Sequence, residues 1–538
     1  MKKKFRQVVS MTAAAVMAAG LMLSGCGSKE AVESDPGDVA ATNETPDNET
    51  APASDEEAAV TVAEESGGGA DSLKIWSVTT KPWVGYADAS ESPFHTGLSE
   101  KTGITWNWEW PMEGADWETA YNLMLMEDPL PDVIYYWKNH RTASTNLADG
   151  LIIALNDYME YAPNLQKLFD ENEDIRKDCM TDDGQIYMFP MVNETYALTT
   201  SGPMVRKDWL DEQSLPVPVT YDDWETTLKA FKEAYGATFA TIDDLYWFGF
   251  LGGTREYIVD DDGKVQWGYT LDSTRKSLEI LARWQQEGLL DPDFASLDST
   301  LVNQKITNGE TGLCFGYGIS EEMLKDGDWI GITFPVEKEG DIPEFTRMTT
   351  RVDYGFGAVV TTSCKDIPAV MKALDWAYGE EGSLYWNCGE EGRDYTINDA
   401  GDITFTDKIM NNPEISVGEA MLQVSASQPG GPMVRIEKAM KAKSNDRTNE
   451  AREQWCVSNM QNHMMPLITQ TKEETEAISS KTTALSSYAE EMWFSFISGE
   501  TPINDETWDA YKKQLDDLGL QEVLVAKQAA LDRYNARS

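Results

Sequence analysis

Three histidines, six cysteines and 92 acidic residues are the groups in this chain that could catalyse a reaction or hold a metal. His95, His140 and His463 share no His-x-His or His-x-x-x-His spacing, which two ligands on one strand or one helical turn would need. No Gly-x-Ser-x-Gly elbow, no Walker A loop and no Gly-x-Gly-x-x-Gly placed between strand and helix occurs. Asp260–Asp261–Asp262–Gly263 has the acidity of a calcium loop. It lacks the every-second-residue carboxylates and the later Glu of that loop, so a turn between two strands is expected. A carboxylate pair for glycoside hydrolysis can always be nominated among 92 acids, so such a pair is uninformative here. The expectation is no catalytic residue, no metal and no cofactor.

The aromatic residues carry more information. Eighteen tryptophans occur in 538 residues, and Trp83, Trp106, Trp108, Trp110, Trp137, Trp247 and Trp386 fall near expected chain turns. A flat indole covers the C–H face of a sugar ring, while Asp, Glu, Asn and Arg bond its hydroxyl rim. Any one Trp is more often core than platform, and Trp224 and Trp284, on helix faces, are assigned to core.

Charge narrows the ligand further. Lys and Arg number 44 against 92 Asp and Glu, a formal net charge of −48. Such a surface repels nucleic acid, whose binding depends on cationic contacts that release counterions. It also disfavours polyanions unless a local basic pocket exists, so neutral small molecules are the expected partners. With 41% hydrophobic and 10% aromatic residues the chain is long and apolar enough for two packed lobes.

The elements that must position these groups begin with an export segment. Met1 to Arg6 is basic, and Val8 to Leu23 is uncharged and too short for a bilayer span of about twenty residues. Leu23–Ser24–Gly25–Cys26 resembles a bacterial lipobox, which implies a signal peptide over 1–25 and acylation of Cys26, palmitate included. From Gly27 to Ala70 the chain has twelve acids, one Lys and no aromatic residue, so 26–71 is expected to be a disordered, lipid-anchored linker. The five other cysteines form no Cys-x-x-Cys pair, which argues against a zinc site and leaves open a bridge such as Cys364 with Cys388.

Beyond the linker the pattern is α/β. Leu73 to Val78 alternates as a strand, Trp117 to Leu125 reads as a helix and Val133 to Trp137 as a buried strand. Thr220–Tyr221–Asp222–Asp223 opens a helix that carries Trp224, Leu228, Phe231 and Tyr235 on one face. Strands are also expected at 313–317, 331–334 and 354–360, a helix after Pro368, and a mostly helical chain after Pro413.

Several of these stretches resemble one family. Gln185–Ile186–Tyr187–Met188–Phe189–Pro190, Val205 to Leu210 and Leu215 to Trp224 are similar to segments of family 1 of the extracellular solute-binding proteins of ABC importers. Gly288 to Phe294, Asn308 to Gly312 and Glu390 to Tyr395 add shorter matches, with Arg393 where His is usual and Gln213–Ser214 where Leu-Gly is common. The resemblance implies a two-lobed periplasmic-binding-protein-like α/β fold with the ligand in the cleft between lobes. Lobe 1 is placed at 72–198 plus 330–412 and lobe 2 at 199–329 plus 413–538. It also implies that a carbohydrate, in particular an oligosaccharide, is captured by cleft closure and delivered to ABC permease subunits. The loops that supply ligand contacts in the family would hold Trp83, Trp137, Asn139, Glu194, Tyr196, Trp247, Tyr317, Arg351, Tyr354 and Trp386. Trp83, Trp137, Trp247 and Trp386 are assigned as ring platforms, with Glu194, Asn139 and Arg351 as hydroxyl partners. The expected protein is a monomer, tethered through Cys26 to the outer face of the cell membrane. Two other readings stay open: a cell-surface oligosaccharide-active glycosidase, and the same fold holding a non-sugar ligand such as a peptide.

Overall fold

A computed structural model describes residues 72–78, 85–86, 88–112, 114–136, 139–241, 251–426 and 430–537. The signal peptide, Cys26 and the linker over 26–71 lie outside the described residues. Fourteen strands are described: β1 (Ser72–Ser77), β2 (Thr105–Glu109), β3 (Val133–Tyr136), β4 (Phe189–Asn193), β5 (Gly202–Arg206), β6 (Ala240–Thr241), β7 (Tyr257–Val259), β8 (Val265–Trp267), β9 (Leu313–Gly316), β10 (Trp329–Gly331), β11 (Val352–Val360), β12 (Tyr395–Ile397), β13 (Ile403–Phe405) and β14 (Val434–Arg435).

Two sheets divide the body. The first has the order β14-β4-β11-β3-β1-β2, with β1 parallel to both β2 and β3, and β11 antiparallel to β3 and β4. Its inner strands β3 and β4 are buried on both faces, as the unbroken apolar run of β3 demands, while the edge strand β2 alternates buried and exposed residues, and helices such as Pro93–Thr102 and Ile367–Asp375 cover the sheet. The second has the order β10-β5-β9-β6. Each sheet has its own hydrophobic core, one around Phe94, Tyr135 and Phe189, the other around Trp224, Trp284, Phe315 and Trp493. The molecule is therefore a two-lobed α/β protein, and the chain passes between the sheets after β4, between β10 and β11, and after β14.

Local sequence explains most elements. Thr220 Oγ1 accepts from the Asp223 N–H while the Asp223 carboxylate accepts from the Thr220 N–H, so the helix Tyr221–Tyr235 opens on a reciprocal cap. Its buried Trp224 stacks on Trp284 at 6.5 Å and 11°, so both indoles are core as expected. Asp260–Gly263 is the expected turn, joining β7 to β8, with the Asp260 carboxylate accepting from the N–H groups of Asp262 and Lys264. Ser214 has φ 55, a left-handed conformation that costs a residue with a Cβ and suits the glycine of the related segment. The five described cysteines are free thiols, so the bridge left open between Cys364 and Cys388 is absent.

Two expectations are corrected. The strand expected at 331–334 is displaced to Trp329–Gly331, where the ladder to β5 ends. Residues 413–442, placed with lobe 2 from sequence, pack on lobe 1. Val434 pairs with Val192 of β4, and Met421, Val424 and Ala439 share a small core with Cys388 and Phe405. The chain returns to the second lobe only with the helix Asp446–Trp455, which lies on β5 and β10.

A polar latch joins the C-terminal helix Leu520–Asn535 to the first lobe. Arg533 bonds Asp182 and Glu474, and Arg537, fully buried, bonds Asp182, the Lys177 carbonyl and Thr469. Beneath them Asp178 accepts from the Tyr534 hydroxyl at 2.8 Å and the Leu467 N–H at 3.1 Å. Burial pushes the Asp178 carboxyl up to about 6, with these two hydrogen bonds opposing the rise. A raised carboxyl pKa means the native state holds the extra proton between about pH 4 and pH 6, so this group's contribution to stability falls as pH rises through that window. From the shift, the loss is on the order of 3 kcal/mol by pH 7. Asp178→Asn, which cannot ionise, should therefore gain that amount relative to the parent between pH 4 and pH 7, read from urea unfolding at both pH values. Parallel pH profiles for the two proteins would refute the titration.

Candidate ligand-binding cleft

A cavity of about 680 Å³ opens between the lobes. Lobe 1 supplies Glu118, His140 and Arg141, the last two from the helix Asn139–Ala148 that follows β3. Lobe 2 supplies Thr254, Arg255, Glu256 and Tyr257 at the start of β7, Ile478 and Thr482 of the helix Lys472–Ser498, and Lys527 of the C-terminal helix. Arg347, Met348, Met464 and Gln470, from segments that pass between the lobes, complete the lining. Parallel strands end on this side for β1 and β3, and in open α/β sheets ligands gather beyond such carboxyl ends.

The polar groups are arranged around few aromatics. Lys527 Nζ lies 4.2 Å from the centre of the Tyr257 ring. Burial, then the nearby Arg141 charge, lowers the Lys527 ammonium to about 8, and Glu256 acts against them. Arg347 donates to Ser201 Oγ at 2.8 Å and stands over the Tyr317 ring at 5.3 Å. His463 braces the passing segment from outside the cavity, bonding the Val259 carbonyl and the Glu344 carboxylate. Burial works against its charge, but these two acceptors prevail and raise its pKa. His95 is buried beside Trp108 and Trp110, and burial drives it down to about 3, so it is a neutral packing residue. Among the described residues, no three His, Cys, Asp or Glu side chains gather as a metal site.

None of the expected site residues whose side chains are described lines this cavity. Trp83, Trp137 and Trp247 lie outside the described residues, and Tyr354 is placed on β11 without a described side chain. Trp386, expected as a ring platform, is fully buried against Phe94, with its six-membered ring where a Cβ on Gly431 would stand; it is core. Asn139 is also buried and donates to the carbonyls of Ile134 and Gly357, tying its helix to β3 and β11. The Glu194 carboxylate accepts from the Glu437 N–H and so caps a helix. Tyr196 is buried under Lys441 and Arg452 and donates to Asn449. Arg351 forks onto Asp174 and Asn172 within lobe 1. Tyr317 is half exposed and lies under Arg347, which lines the cavity. These polar side chains bond distant parts of the fold, which position in the chain does not reveal. One missed residue did have a signal: Lys527 interrupts the buried stripe Leu520, Val523, Ala530, Leu531 and Tyr534 of an amphipathic helix.

The sequence profile of the bacterial extracellular solute-binding proteins matches residues 76–383. The chain belongs to that family. The fructooligosaccharide ABC transporter substrate-binding protein FusA of Streptococcus pneumoniae serotype 4 is 24% identical over 486 residues, covering 84% of this chain and 88% of its own. The lipoprotein LipO of Bacillus subtilis is 24% identical over 400 residues, 67% of this chain and 74% of its own. Among solved structures, the alginate-binding protein AlgQ2 superposes with a TM-score of 0.70 at 21% identity, over 86% of this chain and 98% of that one. FusA in complex with kestose superposes with a TM-score of 0.69 at 22% identity, over 86% and 99%. Members of this family are solute-binding proteins, and the two-lobed fold is shared with these structures.

Proposed function

We propose that this protein is the lipid-anchored, extracellular carbohydrate-binding component of an ABC importer. It captures an oligosaccharide between its lobes, passes it unchanged to the permease subunits, and acts as a monomer tethered by acylated Cys26. The observation that carries the reading is the cavity lined by both lobes and by the segments that join them. A solute bonded to both walls stabilises the closed arrangement over the open one, and that difference is the signal a permease can read. The names of FusA and AlgQ2 attach carbohydrates to two proteins of this shape, and LipO is named a lipoprotein. Among the described residues no helix is long and apolar enough to cross a membrane, which accords with attachment through a lipid. Trp83, Trp137 and Trp247 are the proposed ring platforms; Trp137 stands in the chain between β3 and the helix that brings His140 and Arg141 to the cavity.

The test is a titration of the full-length protein, held in detergent, with an oligosaccharide panel, followed by tryptophan fluorescence and calorimetry. Saturable binding of one oligosaccharide class is expected. Arg347→Ala and Trp137→Ala should each weaken it by about 1–3 kcal/mol, the usual range for an anchor residue. Absence of binding to every sugar, or new reducing ends that vanish with a single Asp or Glu substitution, would overturn the proposal.

A further inference from the structure

The cavity departs from the charge of the molecule around it. In a chain with 44 basic and 92 acidic residues, the described residues of its lining include Arg141, Arg255, Arg347 and Lys527 against Glu118 and Glu256. Among the described residues, His140 and Tyr257 are the other titratable side chains of the lining. Arg255 is spoken for in part, with Glu256 at 3.7 Å. Lys527 has no carboxylate within ion-pairing distance among the described residues and stands against the face of Tyr257. Two further donors in the same lining, Gln470 Nε2 and the Tyr257 hydroxyl, are buried and have no hydrogen-bond partner among the described residues. A buried donor without an acceptor costs about 1–3 kcal/mol. The ammonium, the amide N–H and the phenol O–H are donors on three residues of one lining, and none of them has a hydrogen-bond or ion-pair acceptor among the described residues.

Resting on the carrier reading above, we infer that the oligosaccharide this cleft takes carries a carboxylate, a uronate unit seated against Lys527 within reach of Gln470 and Tyr257. A neutral sugar hydroxyl could accept from one of these donors but would leave the ammonium uncompensated. A carboxylate has two oxygens and about four acceptor sites, enough for all three. The depressed ammonium of Lys527 accords with this, because an anion would restore the charge that burial and Arg141 oppose. The strongly acidic exterior then acts as a filter: it slows long polyanions at a distance, while short uronate chains reach a locally basic cavity at physiological salt, where exposed charges are screened beyond about 8 Å. The expectation of a neutral ligand, drawn from net charge alone, gives way to the charge of the lining.

The experiment is calorimetry on the full-length protein with uronate trisaccharides (galacturonate, mannuronate and glucuronate types) and neutral trisaccharides of the same length. At least one uronate trisaccharide is expected to bind tenfold or more tightly than its neutral counterpart, and raising NaCl from about 50 to 500 mM should weaken that binding severalfold. Lys527→Met should lose tenfold or more for the uronate and Lys527→Arg should retain most of it. The unliganded melting transition of Lys527→Met, with one less buried charge, reports that the fold is intact. Equal or tighter binding of a neutral trisaccharide, or a change below twofold in Lys527→Met, overturns the inference and leaves the carrier reading standing. Failure of every sugar, charged or neutral, overturns both.

Discussion

Arg537→Ala is expected to lower the unfolding free energy by about 1.5–3 kcal/mol, the range for hydrogen bonds made by a charged group, because Asp182 keeps Arg533 as a partner. The Arg537 side chain is fully buried, and its donors meet Asp182 Oδ1 at 2.6 and 3.0 Å, the Lys177 carbonyl at 2.7 Å and Thr469 Oγ1. An alanine leaves the Lys177 carbonyl without this donor and returns Asp182 to Arg533 and Thr469 alone. Arg537→Lys keeps the charge and loses the fork, so its stability should fall between the two. Urea unfolding followed by tryptophan fluorescence gives the order. A loss below about 1 kcal/mol in Arg537→Ala would place the latch with ordinary surface pairs. Because the latch ties the helix that carries Lys527 to the first lobe, the same variant tests whether the lobes are held together by more than their crossing segments.

The second large effect belongs to Trp455. Its indole is fully buried and its Nε1 donates to the Pro203 carbonyl at 3.1 Å. The ring occupies the space a Cβ on Gly202 would need, and Ala451 does the same opposite Gly331, so the helix Asp446–Trp455 sits flush on β5 and β10. Trp455→Ala should cost about 3–5 kcal/mol, a transfer loss plus an unfilled cavity against backbone that cannot collapse. Trp455→Phe keeps most of the volume, and the bond lost at Pro203 adds about 1 kcal/mol to any packing change. Since Asn449 and Arg452 of this helix also hold Tyr196 of the first lobe, Trp455→Ala should disturb the approach of the lobes as well as the fold of the second. Equal unfolding midpoints for Trp455→Ala and the parent would contradict the packing argument.

Both effects sit in the C-terminal third, where the chain pattern gave helices but not their partners. Local elements were legible because local chemistry makes them. The reciprocal cap of Thr220 and Asp223, the Asp260–Gly263 turn and the buried run of β3 each need only neighbours within a few residues. Helix-face periodicity likewise placed Trp224 and Trp284 in the core. The return point was misplaced at 413, since the apolar faces of 417–424 and 437–442 fit either lobe, and pairing of two residues at β14 settles the matter.

The sequence by itself determined the family, the α/β class, the acidic exterior and the positions of most elements, because periodicity, caps and turn residues are short-range properties of the chain. Tertiary structure alone decided which side chains line the cleft. Trp386 and Asn139 went to the core and Glu194 to a helix cap, while Arg141, Arg347 and Lys527 converged on the cavity from distant segments. Net charge adds over the whole chain, but a ligand meets only the groups that folding brings within a few ångströms of it, and among the described residues of the cavity that sum has the opposite sign.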